Sequence, residues 1–413
     1  MKKLMMSLAI LLFVSLGGSA QNLEEYLEMA AKNNPLIKAK FSSYMASLEV
    51  VPQVGTLPDP QLAFAYFIKP VETRLGPQQA KVAFTQMFPW FGTLDAMENV
   101  AIQNSKVKYE AFKEAKSNLF FEVKSAYYDL YFIRKAIKAT SDNQEILNSF
   151  RNLALIKIES GKASGVDEIR VEMDLADLEN NLALLRDKMT VLMVKFNKLL
   201  NQDGSKLIIT PDRLEQRDLM YSREAVLDSI LKKNHTILGL DYMIEALRGK
   251  QSVAEKAGKP KISLGIDYIA IGETENQMVS SDVNGNDAII FPKIGMTVPL
   301  YRKKYTAMVN EVVLKQEATL NAKQAKSNAL ETLFEKSYME YQDADRRISL
   351  YEKQLLRIDN AVKILESQYS TNGKNFEEIL RMEKRRLKYQ LQLEKSVADK
   401  QAGIAFIEFL MGQ

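Results

Sequence analysis

Apolar residues recur along much of this chain at alternating steps of three and four. One ladder runs Leu175, Leu178, Leu182, Leu185, Met189, Leu192, Phe196 and Leu199. Such a heptad seam buries one helical stripe against another helix. A second ladder, Leu119, Val123, Ala126, Leu130, Ile133 and Ile137, precedes it. The break between them, Gly161-Lys-Ala-Ser-Gly165, predicts a long antiparallel helical hairpin over Leu94–Leu200. At ~1.5 Å per residue its first arm, Leu94–Ser160, would be roughly 100 Å long. Tyr301–Gln413 repeats the pattern, with its turn at Asn372-Gly-Lys374.

The period changes to two before each hairpin. Leu62, Phe64, Tyr66 and Ile68 alternate with Gln61, Ala63, Ala65 and Phe67. After a predicted loop at Pro70–Gln79, Val82, Phe84 and Phe88 alternate with Lys81, Ala83, Thr85 and Met87. These are two strands of a hairpin. In the second half, Ile262, Leu264, Ile266 and Tyr268 alternate with Lys261, Ser263, Gly265 and Asp267. A polar loop, Gly272–Asp287, leads to a return strand that sets Ile294, Met296 and Val298 against Lys293, Gly295 and Thr297.

The punctuation is duplicated as well. Leu23–Ala46 reads as helix, broken at Asn33-Asn34-Pro35, with a second helix running to about Val51. Ala225–Leu231 is followed in the same way by Lys233-Asn234-His235, and Pro260 stands 200 residues after Pro60. Pro89 opens the first long helix and Pro299 the second; Val166-Asp167-Glu168-Ile169 is mirrored by Phe376-Glu377-Glu378-Ile379. The chain therefore reads as residues 1–20, a first repeat over 21–211 and a second over 212–413, each ordered helix, helix, strand, strand, long helix, long helix. A short connector, Asn201–Ser222, joins the repeats, with a strand expected at Leu207–Thr210.

The strand faces leave two readings open. A soluble sheet would turn its polar face to water and its apolar face to a core. A membrane barrel would turn the apolar face to lipid and line a channel with the polar one. Strands of about 8–11 residues suffice to span when tilted, for which ~9–11 are needed. Four strands cannot close a barrel, and open edges are not tolerated in lipid. Several copies would have to share one barrel; three would supply twelve strands.

Composition narrows the choice. The chain has 413 residues, 46% of them apolar, and no later stretch offers the run of ~20 apolar residues that a membrane helix needs. At the N-terminus, Lys2 and Lys3, the apolar run Leu8–Leu16 and Gly17-Gly18-Ser19-Ala20 have the order of a secretory signal peptide, with cleavage expected after Ala20. Its removal lowers the formal charge from +4 to +2, which does not suggest nucleic acid. The absence of cysteine leaves no disulfide, thiol nucleophile or cysteine metal site.

These features together resemble the outer-membrane efflux protein family of the TolC type. The resemblance spans essentially the whole mature chain. It rests on the duplicated order, the strand hairpins and the two turns Gly161-Lys-Ala-Ser-Gly-Val-Asp-Glu-Ile and Gly373-Lys-Asn-Phe-Glu-Glu-Ile-Leu. Leu57-Pro58-Asp59-Pro60-Gln61-Leu62 and Phe88-Pro89-Trp90-Phe91-Gly92-Thr93 look like members serving resistance-nodulation-division pumps. The resemblance implies a mainly α-helical fold with a membrane β-barrel. It implies a homotrimer with a twelve-stranded barrel in the outer membrane and a helical tunnel in the periplasm. Its partners would be outer-membrane lipid, a periplasmic adaptor and an inner-membrane pump. The short connector and the chain's stop soon after its last helix imply a small belt around the tunnel.

No catalytic constellation is legible, so no enzyme, cofactor or metal is expected. His235, the single histidine, replaces a proline at a helix break and reads as a partly exposed turn residue. Fifteen methionines follow the signal, scattered at helix-packing positions. No phosphate-binding Gly-rich loop with lysine is present, so energy must come from a partner. In relatives, acidic residues that begin the returning helices ring the tunnel mouth and favour cations. Carried over, that role falls to Asp167, Glu168, Glu377 and Glu378; the alternative is helix capping by solvated carboxylates. The turn residues Gly161, Lys162, Gly165, Gly373 and Lys374 are the adaptor-docking candidates, against simple solvated loops. The leading functional expectation is a passive exit duct of a tripartite export machine. A soluble periplasmic coiled-coil scaffold is the alternative, and a secreted hydrolase is disfavoured by the missing nucleophile and base.

Overall fold

A computed structural model describes residues 23–73, 75–161, 164–273, 288–372 and 375–413. The expected signal peptide and most of the Gly272–Asp287 loop lie outside the described residues. The elements in order are α1 (Leu23–Asn33), α2 (Pro35–Leu48), α3 (Val50–Gly55), β1 (Gln61–Thr73), β2 (Gly76–Phe88), α4 (Thr93–Glu159) and α5 (Gly165–Leu199). The second repeat follows with α6 (Arg223–Lys233), α7 (His235–Ala257), β3 (Lys261–Ile271), β4 (Ala288–Thr297), α8 (Arg302–Asn372) and α9 (Phe376–Leu410). Apart from α3, a short extra helix in the first half, both halves run helix, helix, strand, strand, long helix, long helix.

The chain divides into two compact units, each drawing segments from both repeats. One unit comprises residues 23–40, 112–161, 164–235, 327–372 and 375–413. Its core is helical and has two centres. Around the first, Tyr26, Tyr127 and Phe196 meet one another, with Tyr26 edge-on to Phe196 at 5.1 Å between ring centres. Leu119, Val123, Ala126 and Leu130 of the predicted ladder are buried there. The second centre joins both hairpins: Leu147, Phe150 and Ala154 of α4, Val171 and Leu178 of α5, Tyr369 of α8, and Phe376, Ile379 and Leu380 of α9. The repeats are capped alike. Asn34 Nδ2 donates to the Leu199 carbonyl, and Asn234 Nδ2 to that of Leu410, each at 3.0 Å. Both bonds satisfy carbonyls at a helix end that would otherwise lack partners.

The connector Asn201–Ser222 folds onto this unit without forming the strand expected at Leu207–Thr210. Ile208 is buried, but the Ile209 amide donates to Tyr26 Oη at 3.2 Å instead of to a neighbouring strand. Asn197 Nδ2 holds the Gly204 and Lys206 carbonyls, and Lys400 reaches both Asp218 at 2.6 Å and Asp345 at 2.7 Å. His235 is another departure. It opens helix α7 and is 9% exposed, because the Asn234 bond to α9 draws the helix break into the core.

The other unit, residues 41–73, 75–111, 236–273 and 288–326, holds the sheet. Its four strands are antiparallel in the order β1-β2-β3-β4. Much of the expected Pro70–Gln79 loop is strand, since β1 runs to Thr73 and β2 starts at Gly76. Pro70 is accommodated where the β1–β2 register shifts between Tyr66 and Val71. It has no amide hydrogen to give, and β1 is an edge strand, the place where proline costs a sheet least.

Candidate functional site: a two-faced sheet and a charged hairpin turn

Register fixes what each face of the sheet carries. Leu62 pairs with Phe84, Phe84 with Ile266, and Leu264 with Ile294, so these large apolar residues share one face. That face is uncovered: Phe64, Tyr66 and Ile294 are more than 70% exposed and Ile68 is 91% exposed. Leu264, Ile266 and Tyr268 in the central strand are also exposed. Contiguous apolar surface of this kind marks an interaction site, not a soluble exterior. Ala83 pairs with Asp267 and Lys293 with Gly265, which places the small and charged residues on the opposite face, together with Met87, Ile269, Ile289 and Phe291. β1 and β4 each leave one edge without a partner strand among the described residues. Among the described residues no helix is long and apolar enough to cross a membrane.

The hairpin turns concentrate charge. At the first, Gly161 adopts φ +71°, a conformation that favours glycine, and among the described residues nothing lies within 4 Å of where a Cβ would stand. Ser164 caps α5 by accepting a hydrogen bond from the Val166 amide at 3.3 Å. Gly165 is the first residue of α5. Lys162, Gly373 and Lys374 lie outside the described residues. At the second turn Asn375 takes φ +71° before α9 begins.

Three of the four predicted carboxylates are engaged by arginine. Arg170 reaches Asp167 at 3.4 Å and Glu377 at 3.1 Å. It therefore ties the start of α5 to the start of α9. Glu378 pairs with Arg381 on its own helix, and Glu168 is half-buried. Below them Lys384 of α9 meets Asp174 of α5 at 2.5 Å. These residues surround a groove of about 320 Å³ lined by Arg170, Met173, Asp174, Glu377, Arg381 and Lys384. Arg170 was missed in the sequence. Its position three residues after Asp167 signals a local pair, but nothing local signals Glu377. The turn environments also differ: Phe376 and Ile379 are buried, whereas Val166 and Ile169, their repeat equivalents, are exposed.

One turn further along α9, Glu383 is 1% exposed. Burial pushes its carboxyl above the usual carboxylate range, with Arg386 opposing. Arg386 contacts it at 3.4 Å and also holds Asp359 at 3.0 Å. Among the described residues no group of three or more histidine, cysteine or acidic side chains is placed to hold a metal ion.

No protein-family model matches the sequence, and no curated protein matches it. Solved structures do. The Vibrio cholerae outer membrane protein VceC is 14% identical, with a TM-score of 0.75 over 94% of this chain and 95% of that one. The Campylobacter jejuni CmeC outer membrane channel is 12% identical, with a TM-score of 0.76 over 95% of this chain and 86% of that one. The open-state Neisseria gonorrhoeae MtrE outer membrane channel is also 12% identical, with a TM-score of 0.75 over 94% of this chain and 88% of that one.

Proposed function

We propose that this chain, which has the fold of the TolC-type outer-membrane channels, is the exit duct of a tripartite export system. Three copies close a twelve-stranded barrel in the outer membrane, and their helical hairpins form a tunnel in the periplasm. The observation that carries this reading is the sheet: one face exposed and apolar, the other bearing all the charge of β2 to β4, with two open edges among the described residues. Lipid supplies a partner for the first face. Neighbouring copies supply strands for the edges, which lipid would not tolerate unpaired. The chain is a passive conduit, and an adaptor and an inner-membrane pump deliver the cargo. Gly161, Lys162, Gly165, Gly373 and Lys374 are the residues proposed to meet the adaptor.

Asp167, Glu168, Glu377 and Glu378 surround the periplasmic mouth, and Arg170 is the latch between hairpins. Opening is a shift of one hairpin against the other that parts Arg170 from Glu377. Both partners are well exposed, so the pair contributes at most about 1 kcal/mol to stability and acts by biasing one of two arrangements.

The test is purification of cross-linked trimers from the outer-membrane fraction and their reconstitution in planar bilayers. Small, discrete conductance steps are expected, and Arg170→Ala should lengthen open dwell times without lowering the melting temperature. Recovery of the chain as a soluble species after signal cleavage contradicts the proposal and favours a soluble scaffold. Unchanged gating in Arg170→Ala removes the latch alone.

A further inference from the structure

The polar face of the sheet carries an organised charge cluster that a neutral conduit does not need. Asp267 of β3 is held by lysines from both flanking strands, Lys81 Nζ of β2 at 2.6 Å and Lys293 Nζ of β4 at 2.8 Å, and its side chain is 2% exposed. Register accounts for the meeting. Lys81 stands two residues from Ala83, the direct partner of Asp267, and Lys293 pairs with Gly265, two residues before it. The period of two puts all of them on one face. Gly265 gives Lys293 its path across the sheet: a Cβ there would stand 2.7 Å from both Lys293 Cε and the Phe84 carbonyl oxygen. Lys81 also lies over the Phe291 ring, 5.8 Å from its centre.

The charge on this face is one-sided. Lys81, Lys261, Asp267 and Lys293 are all the charged residues of β2, β3 and β4, and their odd positions place every one of them here. Over β2 to β4, three lysines against one aspartate leave +2 for each copy. Asp267 cannot neutralise the pair it holds. Each ammonium has three N–H donors, so a lysine engaged by one carboxylate oxygen still has donors to offer.

We infer that this face is an anion-attracting band: Lys81, Lys261 and Lys293 favour passage of small anions and anionic solutes, and Asp267 is a positioning residue that fixes two of the lysines. The inference rests on the channel reading, in which this face lines the lumen. Low-dielectric walls lined by one sign of charge concentrate counter-ions between them. In three copies the band would hold nine lysines and three aspartates.

Planar-bilayer reversal potentials in a KCl gradient test it. In K81Q/K261Q/K293Q the chloride-to-potassium permeability ratio should fall, on the order of threefold, relative to wild type. Asp267→Asn should shift the ratio the other way. Because each comparison is made with wild type, charges elsewhere in the channel cancel. An unchanged or increased ratio in the triple variant overturns the inference. If that variant forms no channels, wild type decides: inorganic tripolyphosphate should block its current reversibly, less so as KCl is raised. Lack of block then overturns the inference. Failure of wild type to conduct at all is a different result, and it removes the channel reading itself.

Discussion

Ile266→Lys tests the orientation of the sheet. Ile266 is the middle residue of β3, which spans Lys261–Ile271. Five residues at ~3.3 Å, tilted about 45°, put it roughly 12 Å from either strand end, near the centre of an apolar band ~25 Å tall. Its pairing partners are Phe84 and Pro292, and its neighbours along the same face are Leu264 and Tyr268. A lysine there finds no acid on its own face, because every charge of β2 to β4 lies on the other. Lysine facing lipid near the midplane costs about 2–4 kcal/mol. Three copies in a trimer raise that to roughly 6–12 kcal/mol, four or more orders of magnitude in assembly at ~1.4 kcal/mol per tenfold. Ala63→Lys is the matched control. Ala63 is exposed, lies on the opposite face and pairs with Ala83 in the row of Asp267. The assay is recovery of SDS-resistant oligomer from the outer-membrane fraction. Ile266→Lys should abolish it and Ala63→Lys should retain it. The reverse pattern, or equal recovery of both, refutes the assignment of faces.

Two further predictions concern buried charge in the helical unit. Burial raises the Glu383 pKa above its ordinary 4.5. The folded state then binds the proton more tightly than the unfolded chain, so the stability contributed by this group is greatest in acid and is lost as pH rises through the window above about 4.5. Thermal unfolding of Glu383→Gln should show a higher melting temperature than wild type at pH near 7.5 and no difference at acid pH; a lower one at neutral pH would mean that the Arg386 pair outweighs desolvation. Lys400 is 5% exposed and binds Asp218 of the connector, so Lys400→Met should cost about 1–2 kcal/mol and speed proteolysis within Asn201–Ser222. Unchanged proteolysis would show that Asn197 and Tyr26 hold the connector without it.

Much of this architecture was legible in the sequence because it is local and said twice. The heptad ladders mark helices whose burial needs only a neighbouring helix. The Asn34 and Asn234 breaks reveal themselves by repetition, and the two faces of β3 follow from a period that any strand enforces. Readings failed where a partner decides the outcome. Leu207–Thr210 has a strand's composition but no strand to pair with among the described residues. Pro70 looks like a loop residue until the edge position and register shift supply its place. His235 replaces a proline and reads as a partly exposed turn residue, yet the bond from Asn234 to the end of α9 buries it. At the turns the acidic residues stand out by mirrored spacing. The Arg170 contact with Glu377 joins residues more than 200 positions apart, which no local pattern encodes. The Asp267 cluster is similar: its two lysines come from different strands and meet only once register is set.

The central claim, that the sheet stands in a membrane with water on its polar face only, is open to one direct measurement. The natural chain has no cysteine, so single cysteines can be placed without background. Ser263, Thr85 and Thr297 lie on the polar face, and Leu264, Ile266 and Met296 on the apolar one. Labelling of outer-membrane preparations with a water-soluble maleimide should modify cysteines at the first three positions and spare those at the other three. Equal labelling of both sets, or recovery of the protein outside the membrane fraction, would contradict the account.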